Sequence, residues 1–163
     1  MELQPMGREL GALLTARGET VAVSESSTGG LVSAALLSVP GASAFFLGAS
    51  VVYTGAAREA FLGLPRDLPS ETRSASEPYA SLCARTVRER LGTTWALAET
   101  GAAGPTGNRY GDAPGHCCIA VAGPAEAVLT LETGIGEREQ NMWAFARAAL
   151  ELLARTVSSA GKA

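Results

Sequence analysis

The sequence is almost without lysine: 12 of its 13 basic residues are arginine, and the sole lysine is Lys162, next to last in the chain. A mechanism that needs a buried lysine as its base therefore has no obvious carrier. Histidine occurs once, at His116, and cysteine three times, at 83, 117 and 118. Three thiols, two of them adjacent, do not make a disulfide framework, which points to a reducing cytoplasm. The segment His116-Cys117-Cys118 matches no common zinc spacing and alternates badly for one chelating face of a strand, so no metal is expected. Positive charge is in deficit, with a net charge of -3 and a pI near 5.2, which argues against a broad footprint for nucleic acid. Long apolar runs are missing too: Glu2, Arg8, Glu9 and Arg17 interrupt the first 20 residues, and nothing later approaches the ~18 apolar residues of a membrane span. The expectation is a soluble, unprocessed cytoplasmic protein.

What the chain does have is small residues and enough apolar ones. It holds 30 alanines and 19 glycines among 163 residues, and 47% of the residues are hydrophobic. Small residues favour close packing of helix on sheet and close approach of backbone to a ligand. A chain of this length buries about two-thirds of its unfolded surface, which is sufficient for one core, so residues 1–163 are expected to form a single domain.

Leu3, Met6, Leu10, Leu13 and Leu14 recur at helical spacing and Gly18 supplies a stop, predicting a helix over 2–17. Residues 20–25 form a short strand, and a helix begins near Thr28 and ends before Pro40-Gly41. A second strand is expected over 45–54, a helix from Gly55 towards Pro65, a polar loop over 65–76, and a helix from Ser76 to Gly92 with Ser76 as N-cap. A third strand, 94–100, leads into a loop too rich in glycine and proline for regular structure. Two antiparallel strands, 117–123 and 127–134, and a long helix, 137–157, complete the chain. This order implies a three-layer α/β/α sandwich around a mixed sheet.

Two segments carry chemistry. Glu25-Ser26-Ser27-Thr28-Gly29-Gly30 sets three hydroxyls where a strand turns into a helix, where free helix N–H groups can meet an oxyanion or phosphate. The turn lacks the G-x-S-x-G spacing, and the plainer alternative is that Ser27 or Thr28 caps the helix. The glycine loop from Gly101 to Gly111 follows a strand end, the usual ligand side of an open α/β sheet, but has neither Walker nor dinucleotide spacing. Thr100 aims at the same edge. Tyr53, closing the second strand, presents its hydroxyl there or else packs in the core. His116 is a base only if it points inward.

The segments ESSTGG (25–30), VVYTGAAR (51–58), SASE (74–77), TGAAGPTG (100–107), Pro114-Gly115 and GER (136–138) together resemble the CinA C-terminal domain family, over about residues 2–157. That family includes stand-alone PncC-type nicotinamide mononucleotide deamidases. The resemblance implies the α/β/α fold, no cofactor or metal, a homodimer, and hydrolysis of the carboxamide of nicotinamide mononucleotide to nicotinic acid mononucleotide and ammonia. It makes Ser26 the nucleophile and Tyr53 a proton-relay or orienting group. Position 58 is the one that would activate the serine. Ser27, Thr28, Gly29, Gly30, Thr100, Gly101 and Gly104 would line the pocket, and Arg138 would meet an anionic part of the substrate.

The departures are specific. Ser27 stands where the family has cysteine, and Arg58 where it has the lysine thought to activate the serine. Arginine stays protonated and cannot accept the serine proton, although it can stabilise an alkoxide or oxyanion. His116 falls where a small hydroxyl residue is usual. Two other readings follow: a binding protein that recognises a nucleotide but has lost hydrolysis, and an interaction module linked to competence or damage repair. Direct nucleic-acid and membrane contacts are not expected.

Overall fold

The computed structural model describes residues 2–162. In chain order the elements are α1 (Gln4–Arg17), β1 (Val21–Glu25), α2 (Leu31–Leu37), β2 (Phe46–Val51), α3 (Gly55–Ala57), α4 (Glu77–Leu91), β3 (Trp95–Ala102), β4 (His116–Ala122), β5 (Ala127–Glu132) and α5 (Arg138–Ser159). The five strands form one sheet in the order β2-β1-β3-β4-β5. β1 runs parallel to β2 and β3, while β3, β4 and β5 form an antiparallel meander. This is the mixed α/β/α sandwich expected.

The two faces of the sheet differ in side-chain size. Val21, Val23, Trp95, Leu97, Ile119 and Val121 project towards the layer of α1, α2 and α5, where they join Leu10, Leu14, Phe145 and Leu150. The alternate positions, Ala22, Ala96, Ala98, Ala120 and Ala122, face α4 and meet its Ala80, Cys83, Ala84 and Val87. Small side chains on both partners let α4 settle close to the sheet, whereas the opposite layer is spaced by bulky groups. In the central strands β1, β3 and β4, alanine thus lines the face that a single helix covers.

Local departures from expectation have physical causes. α2 starts at Leu31 rather than near Thr28, because Gly29 and Gly30 adopt φ of +62° and +101°, outside the helical region. β3 continues to Ala102, since its pairing with β4 extends to the Ala102–His116 register. The helix expected from Gly55 is one turn of α3 that widens into a π turn over Arg58–Leu62. The Ser76 cap is as expected, its hydroxyl accepting from the Tyr79 amide at 3.3 Å.

β1 leads outward to β2 over one face, while β3 leads to β4 on the other side, so their carboxyl ends flank a crevice. Ser26 and Thr100 sit at its two sides. Enlarging the alanine face should be costly: Ala98→Leu, at a position 1% exposed beneath α4, is expected to destabilise the fold by about 1–3 kcal/mol. Urea unfolding checks this, and a midpoint unchanged from the parent would show that α4 is not closely packed.

Candidate functional site

Two glutamates on adjacent buried strands, Glu25 at the end of β1 and Glu99 within β3, organise the turn after β1. Glu25 is fully buried and Glu99 is 3% exposed. Glu25 Oε1 accepts from the amides of Gly30 and Val32, each at 3.0 Å, and Oε2 from the Ser33 amide at 3.0 Å and the Ser33 hydroxyl. Glu99 Oε2 accepts from the amides of Ser26 and Thr28, both at 3.0 Å, while its Oε1 takes the Ser27 hydroxyl. Thr28 Oγ1 lies 2.8 Å from an oxygen of each carboxylate and links the pair. The expectation that the first turn of α2 offers free N–H groups is therefore corrected: an internal carboxylate already occupies them. The negative charge suits that end of the helix, and the backbone donors repay part of its desolvation.

This arrangement sorts the hydroxyls. Ser27 and Thr28 are buried and committed to glutamates, whereas the Ser26 hydroxyl makes no hydrogen bond among the described residues and lines a cavity of about 510 Å³. Tyr53, Arg58, Thr100 and Gly101 line the same cavity. Thr100 accepts from the Ala75 amide at 3.0 Å, holding Ala75 at a left-handed φ of +59°. Such backbone strain in a non-glycine residue persists only where its surroundings fix it, and here Ala75 forms part of the cavity wall.

Arg58 is 7% exposed. Its guanidinium donates to the main-chain oxygens of Pro65 at 3.0 Å and Arg66 at 2.7 Å, and its Nη1 lies 3.3 Å from the Ser74 hydroxyl and 3.5 Å from that of Tyr79. It also sits over the Tyr79 ring, 5.2 Å from the centroid. Burial pushes the Tyr79 phenol well above its usual range, with the neighbouring Cys83 adding to the rise, so Tyr79 keeps its proton. Tyr53 is 60% exposed, and its hydroxyl accepts from Arg138 at 2.9 Å. Arg138 also donates to the Gly104 carbonyl at 2.6 Å. Arg138, Gly104 and Ser27 line a second, smaller hollow of about 220 Å³, which shares Tyr53, Gly101 and Asn108 with the first.

Several sequence candidates lie elsewhere. Thr28, Gly29 and Gly30 line neither hollow; Thr28 belongs to the carboxylate network and the glycines to the turn's geometry. His116 does not line the cavity: Nδ1 is 2.5 Å from Glu132 Oε1 and Nε2 is 2.8 Å from the Ala75 carbonyl. Burial disfavours its charged form, but the bonds to Glu132 and Ala75 and the charges of Asp112 and Glu132 outweigh that and raise its pKa. With both nitrogens engaged and the proton held more tightly, it is a strut and not a base. Cys117 points to the face opposite Cys118, all three thiols are buried, and burial pushes Cys83 up to about 11. Ser74, from the SASE segment, also lines the cavity, as do Arg66, Arg109 and Tyr110, which no sequence motif names individually. Arg109 and Tyr110 belong to the glycine loop, the one signal that pointed to them.

Fold and site together define an α/β/α domain with an arginine-bordered cavity at the carboxyl ends of its parallel strands. The CinA C-terminal domain matches residues 3–157, and the chain belongs to that family. A CinA-like protein of Prochlorococcus marinus is 46% identical over 112 residues, covering 69% of this chain and 26% of its own length. The chain spans about a quarter to a third of the length of the curated relatives it matches. A competence/damage inducible protein from Agrobacterium tumefaciens is 28% identical with a TM-score of 0.84, covering 94% of each chain. A competence damage-inducible protein from Klebsiella pneumoniae has the same fold, with a TM-score of 0.89 at 23% identity over 99% of this chain and all of its own.

Two expectations test the site's framework. Glu25→Gln turns an NH₂ group onto backbone donors and should cost about 1–3 kcal/mol, whereas Ser26→Ala should change stability by no more than about 0.5 kcal/mol. Equal losses in urea unfolding would remove the distinction between framework and free hydroxyl. For His116, a folded pKa raised above 6.5 means that its stabilising contribution is full below the unfolded value and is lost as pH rises through the folded one. The only histidine in the chain gives an unambiguous NMR titration, expected above 6.5; a midpoint at or below it would contradict the strut.

Proposed function

We propose that this chain binds nicotinamide mononucleotide in the cavity and hydrolyses its carboxamide, with Ser26 as the nucleophile and with slow turnover. The observation that carries this reading is the placement of Ser26. It holds the one hydroxyl of the turn that the glutamates do not engage, at a cavity bordered by Tyr53, Arg58 and Thr100. In the reaction, Ser26 Oγ bonds to the carboxamide carbon and loses its proton. The carbonyl oxygen takes the negative charge, the C–N bond breaks as nitrogen gains a proton, and ammonia leaves. Water then cleaves the resulting ester and restores the serine.

The amide of Ser27, which neither glutamate takes, and the Arg58 guanidinium are the donors available to the oxyanion. Arg138, reached past Tyr53, suits a phosphate. Tyr53 accepts a hydrogen bond from Arg138 and so keeps its own proton free to pass on.

The slow step is proton removal. Arg58 stays charged, Tyr79 holds its proton, and His116 lies outside the cavity; general-base help of about a hundred- to ten-thousandfold is therefore missing. Arg58 also favours the second reading, in which the nucleotide is bound and not turned over.

Ammonia release from nicotinamide mononucleotide, with product identified by chromatography, tests both. Weak turnover in the parent, none in Ser26→Ala with binding retained, and faster turnover in Arg58→Lys are expected. Binding without any ammonia would support the second reading. Turnover that persists in Ser26→Ala would remove Ser26 from the chemistry.

A further inference from the structure

The cavity continues past Arg58 into an annex of about 190 Å³. Four arginines, Arg58, Arg66, Arg73 and Arg109, contribute to its wall along with Ser70 and Ser74, and Asp67 is the only acidic residue in the lining. Glu59 offsets Arg66, and Asp112 holds Arg73 through two hydrogen bonds of 2.7 and 3.3 Å. Arg58 and Arg109, by contrast, form no ion pair among the described residues.

For Arg58 this is consequential, because its charge is buried and meets only neutral oxygens and an aromatic face. A buried cation without a counter-charge is unfavourable, and a neighbouring open space is where an anion would relieve it. Arg109 is held against the Tyr110 ring at 4.9 Å, with Arg73 at the same distance from that ring. Stacking of this kind limits how far a guanidinium must be ordered when it meets a ligand. Guanidinium groups present paired N–H donors that match phosphoryl oxygens, and the two serines add hydroxyl donors.

We propose that this arginine-lined annex is a phosphoryl-binding subsite, separate from Arg138. It takes either a phosphoryl group of the ligand in the main cavity or free inorganic phosphate. The inference goes beyond the deamidase reading and needs no chemistry at Ser26.

Calorimetric titration of Ser26→Ala protein with inorganic phosphate and then pyrophosphate at low salt tests it without reference to turnover. Binding is expected, with affinity about tenfold or more weaker in the Arg66→Ala/Arg109→Ala double variant and little changed in Arg138→Ala. Both substituted annex side chains are solvent-exposed, and an unchanged unfolding midpoint verifies that the fold persists. Repeating the titration with nicotinamide mononucleotide present separates the sources. Competition that vanishes in the double variant assigns the mononucleotide's own phosphate to the annex in place of Arg138. Simultaneous binding assigns free phosphate or a second phosphoryl group. Absence of phosphate and pyrophosphate binding, or a loss that follows Arg138→Ala and not the annex pair, overturns the proposal.

Discussion

The turn after β1 exists in its observed shape because two carboxylates are buried beneath it. Six consecutive residues pass from a parallel strand into a helix through two glycines in left-handed conformations, which would leave amides pointing inward without partners. Glu25 and Glu99 supply those partners from adjacent strands, so the turn is fastened to the sheet at both sides. Their negative charge is held by main-chain donors and hydroxyls, with no cation paired to either among the described residues. The network also decides which hydroxyl is free: Ser27 and Thr28 are bound from below and Ser26 is left at the cavity.

The asymmetry of the sheet carries this local order to the rest of the site. Alanine on the α4 side brings that helix and the preceding 70–76 segment close to the strand ends, so Ala75 reaches both Thr100 and the imidazole of His116. The bulky opposite face supports α5, whose first residue, Arg138, reaches back to Gly104 and Tyr53. The two layers thus approach one crevice from opposite sides, each with an arginine: Arg58 through the π turn and Arg138 at a helix start.

Much of this was legible in the sequence. Apolar runs bounded by glycine and proline marked every strand, and the strand ends brought Ser26, Tyr53, Arg58 and Thr100 to one place. The start of α2 was misplaced because Gly29 and Gly30 take left-handed geometry that no periodicity encodes. Glu25 and Glu99 had a readable mark, a carboxylate in an otherwise largely apolar strand, at the end of VAVSE and in the middle of WALAETGA. His116 was open to two readings, and only three-dimensional contacts with Glu132 and Ala75 decide between them. Arg66 and Arg109 look like ordinary loop arginines, since nothing local says that segments 43 residues apart share a wall.

Arg58 grips its neighbours by their carbonyl oxygens, a group that every residue carries. Positions 65 and 66 are consequently held in place without reference to their side chains. A substitution at position 66 alters what the cavity wall presents while leaving the wall where it stands. Within this fold, the chemistry of the wall at that end can change by single residues while the geometry around Ser26 stays constant, which separates the surface of the cavity from its framework.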